Sequence, residues 1–345
     1  MPEGLYIDTN GRVINTHSQL KTFRRCPKQA QFKYAMRLKP RLLGSPLKRG
    51  KWVHELLEVY HSGGNWLAHH KKLSAEFSRL FDEEKDYYGD LPTEIEAVMR
   101  SYIWHYQLDP WIVHEVEFQV EAPFPDGSIY RGKVDSLVEN QFGLWLVDHK
   151  THKTLPDHSF RLLDAQSALY LWAAQQMGIP VLGFIWNYIR WKAPSIPVLL
   201  KDGSRLSKSP CDTDFPTYKA NNPQFAVTAE YKARAEYLKS LMYKPGYPQQ
   251  STFFRRDILE KSPEMLDRVV KENFRTAQHM NQYNFKENDA VERTVDRSCT
   301  FSCSYTDLCT IDLMGGNTTP IIKQNYIVGD PNDYYNDRAG EVEKD

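Results

Sequence analysis

The sequence predicts an α/β protein, a mixed central sheet flanked by helices, and three observations lead there. Helical spacing dominates residues 18–107. The pattern then turns extended: residues 113–120 alternate, 128–138 follow, and 143–148 form a short apolar run, with Asp126-Gly127 and Asn140 as turn signals. A long helix over 157–177, closed by Gly178, precedes another buried strand at 181–189. Three strands, a helix and a strand in that order describe a mixed sheet with a crossover helix.

The other elements follow in chain order. Ser18 suits the N-cap of a short helix carrying Leu20 and Phe23, and residues 29–36 read as a second helical stretch. Trp52, Val53, Leu56, Leu57, Val59 and Tyr60 repeat helically over 51–67, and 72–87 and 92–107 are further helices. Residues 194–224 read as a long irregular loop, and helices at 228–242 and 262–283 precede a cysteine cluster. The expected divisions are an N-terminal helical part (1–110), a sheet-bearing core (111–195), a helical C-terminal part (196–314) and a loosely attached polar tail (315–345).

A chain of 345 residues can bury a substantial core. With 26% charged and 41% hydrophobic residues, it is neither wholly disordered nor collagen-like. Lys plus Arg and Asp plus Glu balance at 44 each, yet residues 18–51 carry basic side chains from Lys21 to Lys51 and no acid. Such a run reads as a solvated face or as one that meets phosphates. Residues 1–13 lack a basic end followed by an apolar core, so no signal peptide is expected. No apolar run reaches membrane-spanning length, so no membrane partner is expected. Five cysteines, an odd number, favour an intracellular protein over a disulfide framework. Residues 44–51 have the wrong spacing for a phosphate-binding loop, which counts against a nucleotide-driven motor in this chain.

The most informative segment is 132–154. Asp135 lies late in one expected strand, and Asp148 and Lys150 lie at the end of the next. Residues two apart on a strand face one side, so a hairpin can bring Asp135 beside Asp148 and Lys150. Converging carboxylates repel unless a divalent cation sits between them, and a nearby lysine can orient water or offset charge growing on a phosphate. Alone, an Asp-x-Lys triplet is usually a surface ion pair. Here it leaves the apolar run Leu144, Trp145, Leu146, Val147, where charge needs pairing or a function.

At this point the sequence resembles the PD-(D/E)XK nuclease superfamily, in its RecB-like branch, over roughly residues 18–310. Asp135 and Asp148-His149-Lys150 match the acidic and D/E-x-K motifs, with Val134 in place of the motif's proline. Gly50 through His54 looks like the upstream helix with its metal-binding histidine, and Gln166 with Tyr170 matches the Q-x-x-x-Y motif. The resemblance implies a restriction-endonuclease-like fold. It also implies that His54, Asp135, Asp148 and the main-chain carbonyl of His149 bind Mg²⁺ or Mn²⁺. Lys150 would position water and stabilise the pentavalent phosphate, while Gln166 and Tyr170 would hold the substrate strand. Glu117, in the preceding strand, is a candidate supporting acid.

Cys299, Cys303 and Cys309 lie close together, with Cys26 far upstream. Four thiolates can hold zinc or a [4Fe–4S] cluster; buried reduced cysteines are the plain alternative. The RecB-like branch includes iron–sulfur nucleases of the AddB and CRISPR-adaptation types, with one cysteine before the core and three after it. The resemblance therefore implies a structural [4Fe–4S] cluster, with zinc the second choice, joining the N- and C-terminal helical parts. The first gap of the triplet differs from the family's commoner one, and Cys211 is left over.

The function expected is a metal-dependent DNA exonuclease acting in recombination, repair or phage DNA processing. Any helicase or recombination protein would be a separate partner. A non-catalytic, nuclease-derived DNA-binding or scaffold protein and a structure-specific endonuclease are the alternatives. Closed circular DNA separates exonuclease from endonuclease.

Overall fold

The computed structural model describes residues 6–330, apart from 9, 108–110, 157–158, 204–205, 208–210, 222, 243–250 and 287–290. Two short strands open the chain, β1 (Tyr6–Ile7) and β2 (Val13–Asn15). Helix α1 (His17–Arg25) follows, then α2 (Pro27–Ala30), which continues as one π-helical stretch, Gln31–Ala35. Thr16, not Ser18, caps α1: its hydroxyl accepts from the Gln19 N–H, and the Gln19 side chain accepts from the Thr16 N–H, a capping box. Strand β3 (Leu38–Pro40) leads into α3 (Ser45–His61), which starts earlier than its apolar spacing predicts because Pro46 fits a helix's first turn. The stretch read as one helix over 72–87 is two, α4 (Trp66–Ser78) and α5 (Asp82–Tyr88), and α6 (Leu91–His105) completes this half.

The sheet then forms as expected. Strands β4 (Ile112–Pro123), β5 (Ile129–Asn140) and β6 (Gly143–His152) make an antiparallel meander. A 3₁₀ turn (Ser159–Leu163) and α7 (Ala165–Gln176) cross over to β7 (Val181–Arg190), which lies parallel to β6. The predicted long helix is shorter because Asp164 caps α7 in extended backbone, accepting from the Gln166 N–H at 2.8 Å.

Residues 194–224 are not wholly irregular: α8 (Phe215–Asn221) and a 3₁₀ turn (Pro223–Phe225) interrupt them before α9 (Ala229–Met242). Strand β8 (Phe254–Leu259), which the sequence reading missed, pairs antiparallel with β7. Helix α10 (Pro263–Gln282) lies where expected, capped by Ser262. Among the described residues, the main sheet has seven strands in the order β1-β2-β5-β6-β7-β8, with β4 also on β5.

Side chains alternate between two layers. Leu146, Trp186 and Tyr188 face one core with Leu20 and Phe23 of α1, much of α7, and Leu266 and Ala277 of α10. Ile189 faces another core with Trp52, Val53, Leu56 and Leu57 of α3 and with Tyr102 of α6. Helix α3 and helix α7 therefore sandwich the sheet from opposite sides.

The chain closes with α11 (Ser298–Phe301), α12 (Thr306–Leu313), α13 (Thr319–Asn325) and β9 (Tyr326–Val328). Strand β9 pairs antiparallel with β3, so the described part of the polar stretch after 315 is not a loose tail. Tyr326 is buried and stacks on Tyr305, whose hydroxyl donates to the Leu38 carbonyl at 2.7 Å. Residues 331–345 lie outside the described residues. No helix among the described residues is long and apolar enough to cross a membrane.

Candidate active site

The site grows from a parting of strands. Pairing of β5 with β6 ends at Ser136–Val147, and on the same edge β2 takes over only at Ile129–Tyr130. Residues 131–135 of that edge are left to side chains. Asp135 and Asp148, the next residues on each strand, flank the parting, buried at 8% and 3% exposure. There the backbone N–H of His149 donates to Asp135 Oδ2 at 2.5 Å, in place of a ladder bond.

Each acid has a partner from a different helix. His54 of α3 places Nδ1 at 3.2 Å from Asp135 Oδ1. Gly50 lets α3 come this close: a Cβ there would stand 3.3 Å from Thr151 Oγ1 of β6. On the other side, Gln166 of α7 donates to Asp148 Oδ1 at 3.0 Å. Gln166 also bonds the Tyr170 hydroxyl at 3.1 Å, and that hydroxyl donates to the Lys133 carbonyl at 3.0 Å, on the unladdered edge of β5. The Gln-x-x-x-Tyr pair, expected to hold the substrate strand, makes its bonds inward, to the acid pair and to the strand edge. Lys150 Nζ sits 2.5 Å from Asp148 Oδ2 and 5.3 Å from the Trp186 ring centroid. Lys150 lies inside β6, which runs two residues beyond it rather than ending there.

The charges are unevenly held. Burial raises the Asp148 carboxyl to about 6, with Lys150 opposing and Asp135 adding to the rise. Burial also works against Asp135, but His54, by charge and hydrogen bond, brings that carboxyl well below the usual range. For His54, burial disfavours the charged ring, and the Asp135 carboxylate outweighs it and raises its pKa. The His149 ring is held neutral, well below its ordinary pKa, chiefly by burial.

Two buried carboxylates and an imidazole beside one lysine are the donor chemistry of a hard divalent cation. The ionised acids repel one another, as the upward push of Asp135 on Asp148 shows, and a cation relieves that. As the side chains stand, no group of three or more His, Cys, Asp or Glu among the described residues is closed around a metal position. The His54 ring and Lys150 ammonium occupy acid oxygens instead. The residues fit the ion by chemistry, and ligation requires these two ion pairs to open.

Glu117 lies on β4 between the Val116–Ser136 and Phe118–Val134 pairs, so across from Asp135 in register. It stands at φ 51°, a left-handed backbone rare outside glycine, and forms a 2.8 Å ion pair with Lys133. The sequence reading missed His61, Asn187 and Asp164; none belongs to a motif, and only pairing across strands and helices reveals them. Part of the basic run is engaged within the protein. Arg49 pairs with Glu94, Arg24 donates to Asn273 and Thr276, and Lys28 is fully buried against Asp312.

Cys303 and Cys309 pack against one apolar cluster with Phe32, Leu38 and Tyr305. Burial raises the Cys309 thiol, with Cys26 and Cys303 adding to the rise and the Arg293 guanidinium opposing it. Cys299 instead directs its thiol toward the Thr294 carbonyl, 4.0 Å away. The four do not form a metal-holding group in this structure, so the expected cluster is not shown by it.

Residues 15–310 match the model of the PD-(D/E)XK nuclease superfamily, and the chain belongs to that superfamily. A solved structure titled "Crystal structure of SSO0001" is 12% identical over 88% of this chain and 87% of that one, at a TM-score of 0.31. No curated protein matches the sequence.

Proposed function

We propose that this protein is a divalent-metal-dependent deoxyribonuclease that removes nucleotides from DNA ends. The observation that carries this reading is the placement of Asp135, Asp148, Lys150 and His54 at one parting of the sheet. His54, Asp135, Asp148 and the His149 carbonyl would hold Mg²⁺ or Mn²⁺. When bound, the ion supplies positive charge to polarise a phosphoryl oxygen and favours an ionised water. Lys150, freed from Asp148, offers its ammonium group to the attacking water and to charge developing on the scissile phosphate. Gln166 keeps Asp148 oriented, and Tyr170 keeps β5 and α7 in register. The helices α3–α6 cover one side of the sheet, which supports entry by a DNA end. An intracellular setting and a separate helicase or recombination partner complete the reading, on the cysteine count and the missing phosphate loop.

The test uses the purified chain with Mn²⁺ or Mg²⁺ on end-labelled linear DNA and on closed circles. The wild type is expected to shorten linear DNA and spare the circle, while Asp148→Ala and Lys150→Ala are inactive. Cutting of the circle would replace the exonuclease with a structure-specific endonuclease. Variants as active as wild type would refute the site, and a wild type inactive on all DNA would favour a non-catalytic binding protein.

The [4Fe–4S] cluster is a separate proposal, supported by the one-plus-three cysteine layout in the sequence and by Cys303 and Cys309 packing against the same apolar cluster. A brown, iron-containing protein purified without oxygen supports it. A colourless protein with zinc replaces iron by the second choice, and one with neither metal removes the cluster.

A further inference from the structure

The middle residue of Asp148-His149-Lys150 turns its ring to the opposite side of the sheet from its neighbours. The ring is 2% exposed. A buried imidazole needs partners, and three elements supply them. Asn187, directly beside His149 in the parallel β6–β7 pair and fully buried, places its side-chain amide nitrogen 2.7 Å from His149 Nδ1. The same amide donates to the Tyr102 hydroxyl of α6 at 2.9 Å. His61 stacks its ring on His149 at 5.4 Å between centroids and 8° between planes. His61 is the last residue of α3, two turns beyond His54, so one helix grips β6 through His149 and β5 through Asp135.

We infer that Asn187 is a positioning residue for the metal centre. By fixing the His149 ring it fixes the backbone on both sides of residue 149. The N–H on one side holds Asp135; the carbonyl on the other is a ligand in the proposed set. The inference rests on the nuclease reading, and nothing in the D-x-K pattern predicts it, because that pattern leaves its middle residue unspecified. Partners behind metal ligands typically change metal affinity by about 10–100-fold when lost.

The experiment measures Mn²⁺ binding to the full chain by electron paramagnetic resonance, alongside the Mn²⁺ dependence of DNA cleavage. For Asn187→Leu the dissociation constant for Mn²⁺ should rise about tenfold, while turnover at saturating Mn²⁺ falls far less. A purely structural role would lower the active fraction without moving the metal midpoint. Tyr102→Phe removes the hydroxyl that anchors the amide and keeps the ring, so it decides the matter if Asn187→Leu does not fold; its midpoint should rise about threefold, the lesser loss of an indirect partner. Folded variants with wild-type Mn²⁺ affinity overturn the inference alone. A wild type that binds no Mn²⁺ and cuts no DNA overturns the nuclease reading and this inference with it.

Discussion

Asp135 Oδ2 takes the N–H of His149 at 2.5 Å, across the point where β5 and β6 stop pairing. A single side chain thus does two jobs: it closes a break in the sheet and offers its other oxygen to His54. The two jobs separate on substitution. Asp135→Asn keeps an acceptor for the N–H, so it should lose cleavage by at least about 100-fold and, in stability, only the charge pairing with His54. Asp135→Ala also leaves a buried N–H without its acceptor and should lose roughly 1–3 kcal/mol more than Asp135→Asn in urea denaturation. Equal stability of the two variants would show that the N–H finds water instead.

Gly50 lies inside α3, where glycine costs roughly 1 kcal/mol relative to alanine. Its value is proximity to Thr151, since an added Cβ would meet Oγ1 at 3.3 Å. Gly50→Ala should therefore stabilise the helix but push α3 outward, weakening Mn²⁺ binding several-fold through His54. Thr151→Ala removes the obstructing oxygen and should restore binding in the double variant. Additive losses in the Mn²⁺ titration would rule this contact out as the cause.

Tyr170 is a test of the inward bonds of α7. Tyr170→Phe leaves the Lys133 carbonyl and Gln166 without the hydroxyl they share. The expected loss is about 1–3 kcal/mol of stability. Cleavage should fall about tenfold as Gln166 loses its bracing against Asp148. Unchanged stability with weakened DNA binding would instead assign the hydroxyl to substrate.

The central sheet was legible because its strands are uniform: Leu144 to Val147 are apolar without interruption and Asp126-Gly127 marks a turn. Strand β8 was not, because Arg255, Arg256 and Asp257 interrupt its pattern. Those charges are masked in space. Arg255 pairs with Asp257 and lies 5.0 Å from the Tyr188 ring, while Arg256 sits between Tyr106 and Trp111 at 3.7 and 3.4 Å. Likewise β3 and β9 are short segments far apart in the chain, and nothing local in either announces the pairing.

In the site, the motif residues were legible by type and spacing, but their partners were not. Asp148 and Lys150 share a strand face by alternation alone, whereas the bond from Gln166 to Asp148 needs the crossover helix in place. Charge was the least legible. The basic run reads as a surface, yet Lys28 is fully buried with Nζ 2.9 Å from Asp312, its acid partner almost a whole chain away.

That buried pair predicts how the termini hold together. Asp312 also pairs with Arg293, so Lys28→Met leaves the acid one cation rather than none. The expected cost is about 3 kcal/mol, at the low end for a broken buried pair. If the ion pair and the β3–β9 strands fasten the ends, metal chelation should lower the melting temperature of wild type by less than Lys28→Met does. A larger loss on chelation that Asp148→Ala shows equally would make a metal outside the acid pair the main fastening.

His152 lies two residues past Lys150 on the same strand face, and its buried Nε2 has no hydrogen-bond partner among the described residues. Burial first, then the charges of Arg161, Lys150 and Arg255, lower its pKa to about 4. Above the ordinary value of 6.5 the ring is neutral in folded and unfolded chains alike, and contributes no pH dependence. As the pH falls from about 6.5 to about 4, the unfolded chain takes a proton that the fold refuses, so stability drops; below about 4 the effect levels off. His152→Gln cannot take that proton. Urea midpoints in metal-free buffer at about pH 7.5 and 5 should therefore fall less in the variant than in wild type, since that window spans the titration of the unfolded ring. Equal falls would mean that the native ring already accepts the proton, and that the cations around Lys150 are better screened than their burial implies.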